Sequence, residues 1–262
     1  MKIKHLILLA VAASAGLSPQ GKAQLALGTA TTFAVLGGST VTSSGSTFVN
    51  GDLGVSPGTA ITGFLPGGLG VVNGTTHNDD PVAAQAQADA FTAYNSLAGE
   101  SYLPANDLTG QDLGGRTLTP GVYFFSSSAQ LTGQLTLNGQ GDPNARFDFR
   151  IGSTLGTATS SSVRLIGSAQ AANVFWQVVS SATLGTDTQF SGSILADQSV
   201  TLDTGADLSG RAFALNAAVT LDGNTITVPV PEPPGTFLLF TGFLGMVVGV
   251  RRMRRHFQDS AD

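Results

Sequence analysis

Apolar and polar residues alternate with a period of two in short bursts through most of this chain, and Gly, Asn, Asp and Ser interrupt each burst. Such bursts predict half-buried strands joined by tight turns. Five times in the second half, and once just upstream, they carry one motif, Thr-Leu followed by a turn-prone residue. The copies are Thr117-Leu118-Thr119, Thr136-Leu137-Asn138, Thr154-Leu155-Gly156, Thr183-Leu184-Gly185, Thr201-Leu202-Asp203 and Thr220-Leu221-Asp222. The threonines step by 19, 18, 29, 18 and 19 residues, so one unit recurs and is lengthened once by an insertion. A fixed period of this size is a solenoid signature. With each leucine inside, each preceding threonine points out, about 4.8 Å from the next.

Two further strand sets keep the same phase. Apolar segments precede the later copies at Phe147-Asp148-Phe149, Val174-Phe175-Trp176, Ser193-Ile194-Leu195 and Ala212-Phe213-Ala214. More polar ones follow at 162–166, 189–191, 207–209 and 225–228. Three short strands per coil describe a parallel β-helix of triangular section; a β-sandwich of short strands accounts less well for the equal repeat length. The first half is less regular, with strands expected at 33–36, 39–42 and 48–55. One segment breaks the period of two: Val82, Ala83, Ala86, Ala90, Phe91, Tyr94 and Leu97 fall at helical spacing. Asp80 suits the N-cap, Pro81 the first helical position and Gly99 the stop, so one helix is expected to lie alongside the solenoid.

Both ends have other compositions. Lys2, Lys4 and His5, the apolar run Leu6 to Leu17 and the small-x-Ala site Gly21-Lys22-Ala23 read as a secretory signal peptide over residues 1–23. At the other end, 229–262, Pro231-Glu232-Pro233 precedes the apolar run Gly235 to Val250 and Arg251, Arg252, Arg254 and Arg255. Sixteen residues make about 24 Å of helix, short for a bilayer, but the arginines stand where the positive-inside rule wants them. This tail resembles the PEP-CTERM sorting signal, which implies transient inner-membrane anchoring in a Gram-negative bacterium and removal by an exosortase. An ordinary tail anchor is the alternative.

Residues 24–228 form the domain between. From Gln24 to Pro231 five arginines oppose fourteen acidic residues, which argues against a nucleic-acid partner. The chain has no cysteine, which excludes disulfide stapling and thiolate chemistry.

Several segments in order resemble the bacterial and fungal ice-binding proteins. They are Leu27-Gly28-Thr29-Ala30, Phe33-Ala34-Val35-Leu36, Gly51-Asp52-Leu53-Gly54-Val55-Ser56-Pro57-Gly58, Gly121-Val122-Tyr123, Asn173-Val174-Phe175-Trp176-Gln177-Val178, Gly192-Ser193-Ile194-Leu195-Ala196 and Gly210-Arg211-Ala212. The resemblance implies a right-handed β-helix with an attached α-helix, non-sequential because N-terminal strands complete coils of the C-terminal half. It also implies adsorption to ice or ordered water, without catalysis, cofactor or metal. A threonine ladder is consistent with that, because each side chain holds a methyl and a hydroxyl on a stiff stem. Thr154, Thr157, Thr159, Thr183, Thr186, Thr188, Thr201, Thr204 and Thr220 are the expected outward contacts. The family's Thr-(Ala/Gly)-x-(Thr/Asn) motif is complete at Thr59-Ala60-Ile61-Thr62, which falls in a turn or end coil.

Two rival functions use other residues. A polysaccharide lyase would draw on Asp187, Asp203, Asp207, Asp222 and Arg211, although aspartates after Leu202 and Leu221 also suit turns. A surface or biofilm-matrix protein binding extracellular polysaccharide would expose Trp176 and Tyr123 for stacking, but both fall in apolar strands and are expected inside. His77 reads as a loop residue. Asp148, between two inward phenylalanines, is expected to face outward and pair with Arg146 or Arg150.

Overall fold

The computed structural model describes residues 25–230; the expected signal peptide, the expected sorting motif Pro231, Glu232 and Pro233 and the apolar run 235–250 lie outside the described residues. Strands pair in parallel around a three-sided coil, as the phase of the repeats requires. One side stacks, in spatial order, Ala129–Leu131, Leu155–Thr157, Ala182–Leu184, Val200–Leu202, Val219–Asp222, Thr40–Ser44 and Ala60–Thr62. We call it the threonine face. The second, polar face runs from Thr117–Leu118 through Gln134–Asn138 and Ser162–Ile166 to Thr225–Thr227, Phe48–Asn50 and Val71–Val72. Between them the third face carries Gly121–Phe125, Phe147–Ile151, Val174–Val178, Phe33–Gly37, Asp52–Val55 and Thr76–Asn78. Gln189–Ala196 and Asp207–Ala214 each turn a corner and serve both of these faces.

The stack is non-sequential. Thr40–Ser44 pairs with Val219–Asp222, and Phe33–Gly37 pairs with Asp207–Ala214, so the first strands of the domain extend the coil its last strands begin. The edge left by the C-terminal coil is thereby hydrogen-bonded rather than open.

Leu155, Leu184, Leu202 and Leu221 point inward and are buried, as the Thr-Leu pattern predicts, and Leu131 lies inside with them. An aromatic row crosses the interior: ring centroids lie 5.4 Å apart for Tyr123 and Phe149, 3.8 Å for Phe149 and Trp176, and 4.8 Å for Trp176 and Phe190. Trp176 is fully buried and its Nε1–H donates to the Ser191 carbonyl at 3.0 Å. Gly192 permits this. Its φ is +111°, and a Cβ there would lie 2.7 Å from Trp176 Nε1.

The helix spans Pro81–Ala98, with the Asp80 carboxylate accepting from the Ala83 N–H at 2.8 Å and Gly99 at the C-cap. Ala86, Ala90, Ala93 and Leu97 lie against Phe33, Leu36, Phe175, Leu195 and Phe213 of the third face and Leu215 just beyond it. Small alanines let the helix approach closely, and they cover apolar side chains that a solvated strand would not carry. Val82 stays exposed, so the apolar stripe is narrower than its spacing predicts.

Asp148 does face outward and pairs with Arg146 at 2.8 Å, but the third face is covered and the carboxylate is fully buried. Arg146 also meets Glu100 at 2.7 Å, just past the helix. Burial pushes the Asp148 carboxyl up to about 7, against the opposing pull of Arg146. The native carboxyl then keeps a proton between about pH 4 and 7 that the unfolded chain has released, so this group's contribution to stability falls as pH rises through that window. Thermal unfolding at pH 5 and pH 7.5 checks it. Relative to Asp148→Asn, the wild-type protein is expected to lose stability across that interval; parallel behaviour of the two proteins would refute the assignment.

Candidate functional site

With the third face covered, two remain for recognition, and they differ in chemistry. The polar face mixes Gln134, Arg164, Gln189 and Asp207 with serines and threonines. The threonine face presents two outward columns without a charge. In the first, strand register aligns Thr183, Thr201, Thr220, Thr42 and Thr62, continuing the other way through Gly156 and Gln130. The second column stands two residues earlier in each strand and holds Ser128, Thr154, Ser181, Ser199, Ala218, Thr40 and Ala60. Rungs repeat at about 4.8 Å, and the columns lie roughly 7 Å apart, the advance of two strand residues.

Hydroxyls tie neighbours within each column. Thr62 Oγ1 donates to Thr42 Oγ1 at 3.3 Å, and Thr154 Oγ1 to Ser128 Oγ at 2.8 Å. Backbone parallel pairing fixes the Cβ positions, and β-branching fixes χ1, so the methyl and hydroxyl positions are set by the fold. Charged groups are confined to the borders. At one corner Asp222 accepts from Ser44 Oγ at 3.2 Å and from Thr204 Oγ1. At the other, Asp197 accepts from Asn216 at 3.0 Å.

Nine threonines were expected outward in one ladder, and the structure sorts them differently. Thr183, Thr201 and Thr220 share the first column, and Thr154 lies in the second. Thr159, Thr186 and Thr204 sit in the turns between the threonine and polar faces. Thr157 and Thr188 are buried inside that corner, their hydroxyls 2.9 Å apart, with Thr157 Oγ1 accepting the Gly185 N–H at 2.8 Å. They satisfy turn backbone and face no solvent. Thr117 and Thr136, of the first two Thr-Leu copies, pair with each other on the polar face.

The reason is register. Leu155 pairs with Ala182, not Leu184, so the third copy is offset by two residues from the later three and Gly156 takes the outward place beside Thr183. Thr-Leu marks any strand with a leucine inside, whichever face it serves.

Thr40, Thr42 and Thr62 were missed as contacts, since no Thr-Leu copy stands before Thr117. The available signal was the complete motif Thr59-Ala60-Ile61-Thr62: Ala60–Thr62 is the end strand of the threonine face. Asn224 was also missed. Almost fully buried, it donates to the carbonyls of Asp203 at 2.9 Å and Ala206 at 2.8 Å and accepts the Asp222 N–H at 2.5 Å, clamping the corner that borders the first column.

The other chemical candidates are held by local bonds. Asp207 accepts from the Thr225 N–H and from Gln189, and Arg211, buried, donates twice to the Thr31 carbonyl and once to Ser193 Oγ. Burial lowers the Arg211 guanidinium to about 10, and it pairs with no aspartate in these bonds. His77 is a strand residue rather than a loop residue, with Nδ1 2.7 Å from Asp80 Oδ2 and its ring tilted against Phe33. Trp176 and Tyr123 are inside, as expected.

Fold and site together define a class: a parallel β-helix with N-terminal strands completing its coils, a helix on one face and an uncharged threonine grid on another. The family profile described as Ice-binding-like matches residues 35–227, and the chain belongs to that family. An ice-binding protein of Nostoc sp. strain HG1 is 52% identical over 96% of this chain and 97% of its own. A crystal structure of an ice-binding protein from an Antarctic biological consortium superposes with TM-score 0.76 at 46% identity, covering 82% of this chain and 95% of that one. One from the Antarctic ascomycete Antarctomyces psychrotrophicus gives 0.73 at 42%, covering 78% and 98%.

Proposed function

We propose that the protein adsorbs to ice through the threonine face and thereby restrains ice growth or recrystallisation. The observation that carries this is the five-threonine column flanked by a second column with no charge. Each rung offers a methyl that sheds water and a hydroxyl that holds it, on a side chain that loses little rotamer freedom on contact. Charged groups would hold their own hydration shells out of register with a lattice, and here they stand only at the corners. Similarity to ice-binding relatives over almost the whole length supports the same reading. Thr183, Thr201, Thr220, Thr42, Thr62, Thr154 and Thr40 are the proposed contacts.

We infer from the expected leader and tail that this domain works outside the cytoplasm. Export through the signal peptide, transient anchoring by the span at 235–250 and release by an exosortase would leave it at the cell surface or in the extracellular matrix. The test is direct. Labelled Gln24 to Pro231, whose solved relatives consist almost wholly of this domain, is expected to enter a polycrystalline ice ball grown in its dilute solution. Complete exclusion of folded protein would refute adsorption; polysaccharide affinity with exclusion from ice would favour a matrix role instead.

A further inference from the structure

Among the large apolar side chains exposed in the described residues, Leu65 and Leu69 lie in the terminal coil of the solenoid and Phe48 on the strand beside it. Leu65 is 63% and Leu69 67% exposed. That coil, one end of the solenoid, is formed by Ala60–Thr62, Val71–Val72 and Thr76–Asn78, each of which pairs on one side. The coil mouth opens there into a cavity of about 690 Å³, lined by Ile61, Phe64, Leu65, Val71 and Val72 among others. From Leu53 to Thr76 no residue is charged. An open end whose charges, Asp52, Asp79 and Asp80, stand at its border and whose strand edges are bare is a contact surface unless something covers it.

The chain itself indicates what does. Val228 N–H bonds to the Asn50 carbonyl, and Asn50 lies on Phe48–Asn50, next to the end strand Val71–Val72. The tail therefore leaves the domain two strands from this end, roughly 10 Å along the axis. Between Val230 and the apolar run at Gly235 stand Pro231-Glu232-Pro233-Pro234, and a linker of that composition reaches about 12 Å. If 235–250 crosses a membrane, so short a tether keeps the coil mouth near the bilayer.

We propose that this end is a membrane-contacting surface: while the tail is uncut, Leu65 and Leu69 enter the interfacial region of the bilayer and the solenoid stands upright on it. The inference rests on reading 235–250 as a membrane span. Asp52, Asp79 and Asp80 lie near this end and Leu53 to Thr76 adds no cation, so zwitterionic phospholipid is the surface it fits; anionic lipid would repel it. Upright seating sets the threonine columns perpendicular to the membrane, with Thr62 at the seated end and the rungs from Thr42 onward open to water.

The chain's lack of cysteine makes the test clean. Full chain carrying Leu69→Cys or Thr201→Cys, each labelled with an environment-sensitive fluorophore, is reconstituted into phosphatidylcholine vesicles and floated on a density gradient. The position 69 label is expected to shift to the blue and resist aqueous iodide, while the position 201 label stays quenchable. Replacing a third of the lipid by phosphatidylglycerol should weaken the position 69 protection. Flotation with a freely quenched position 69 would overturn the proposal and leave the span standing. Failure to float would overturn both. Protection of position 69 without lipid, rising with protein concentration, would overturn it in favour of end-to-end pairing of two copies.

Discussion

Thr220→Tyr is expected to abolish adsorption to ice while leaving the unfolding temperature nearly unchanged. Thr220 is exposed at the centre of the first column, between Thr201 and Thr42. A tyrosine there keeps strand propensity, and exposed substitutions of this kind cost within about 0.5 kcal/mol. Its ring rises above the plane set by threonine and holds both neighbours off a flat lattice. Contact with ice is a sum of many weak interactions on a rigid grid, so lifting the centre removes most of them together. Ser209→Tyr, exposed on the polar face beside Ser191 and Thr227, provides the comparison and is expected to adsorb normally. Ice affinity and thermal unfolding of both variants decide the matter; if Ser209→Tyr fails and Thr220→Tyr adsorbs, the polar face is the site.

Trp176→Ala is expected to destabilise the domain by about 3–5 kcal/mol, the usual cost of emptying a large aromatic position. For a domain of this size that is a fall of roughly 6–20 °C in unfolding temperature. The indole stacks at 3.8 Å and 8° on Phe149, packs against Phe190 and satisfies the Ser191 carbonyl. Its loss leaves a cavity bounded by parallel strands that cannot close without shifting register. Chemical denaturation at neutral pH measures the cost; less than about 1 kcal/mol would mean that the interior relaxes freely.

The two outcomes separate the roles of inside and outside. A surface tyrosine should remove adsorption without unfolding the protein. An interior alanine should unfold it at lower temperature while the ladder, as long as the chain stays folded, still adsorbs. The Asp148–Arg146–Glu100 network belongs with the interior, since the helix end and the third face remove it from water.

Much of the architecture was legible along the chain because its determinants are local. Period-two alternation, the recurring Thr-Leu and its flanking turns specify strands, and equal spacing specifies that they stack. Asp80, Pro81 and the alanines specify a helix and its start. Leu184, Leu202 and Leu221 are inward for the same reason that Thr183, Thr201 and Thr220 are outward: a strand alternates sides.

What only the tertiary structure decided is which face each strand joins and in which register. Thr136 and Thr183 stand in the same local pattern and lie on different faces; Thr154 precedes a buried leucine as Thr201 does, yet sits one column over. Thr157 and Thr188 look like surface threonines in sequence and are buried, because a corner turns its polar side chains inward to bond backbone that the bend leaves unpaired. Thr42 and Thr62 join the ladder only because the N-terminal strands stack on the last coil, far away along the chain. Alternation is a property of each strand alone, whereas face and register come from hydrogen bonds between strands that the sequence does not place side by side.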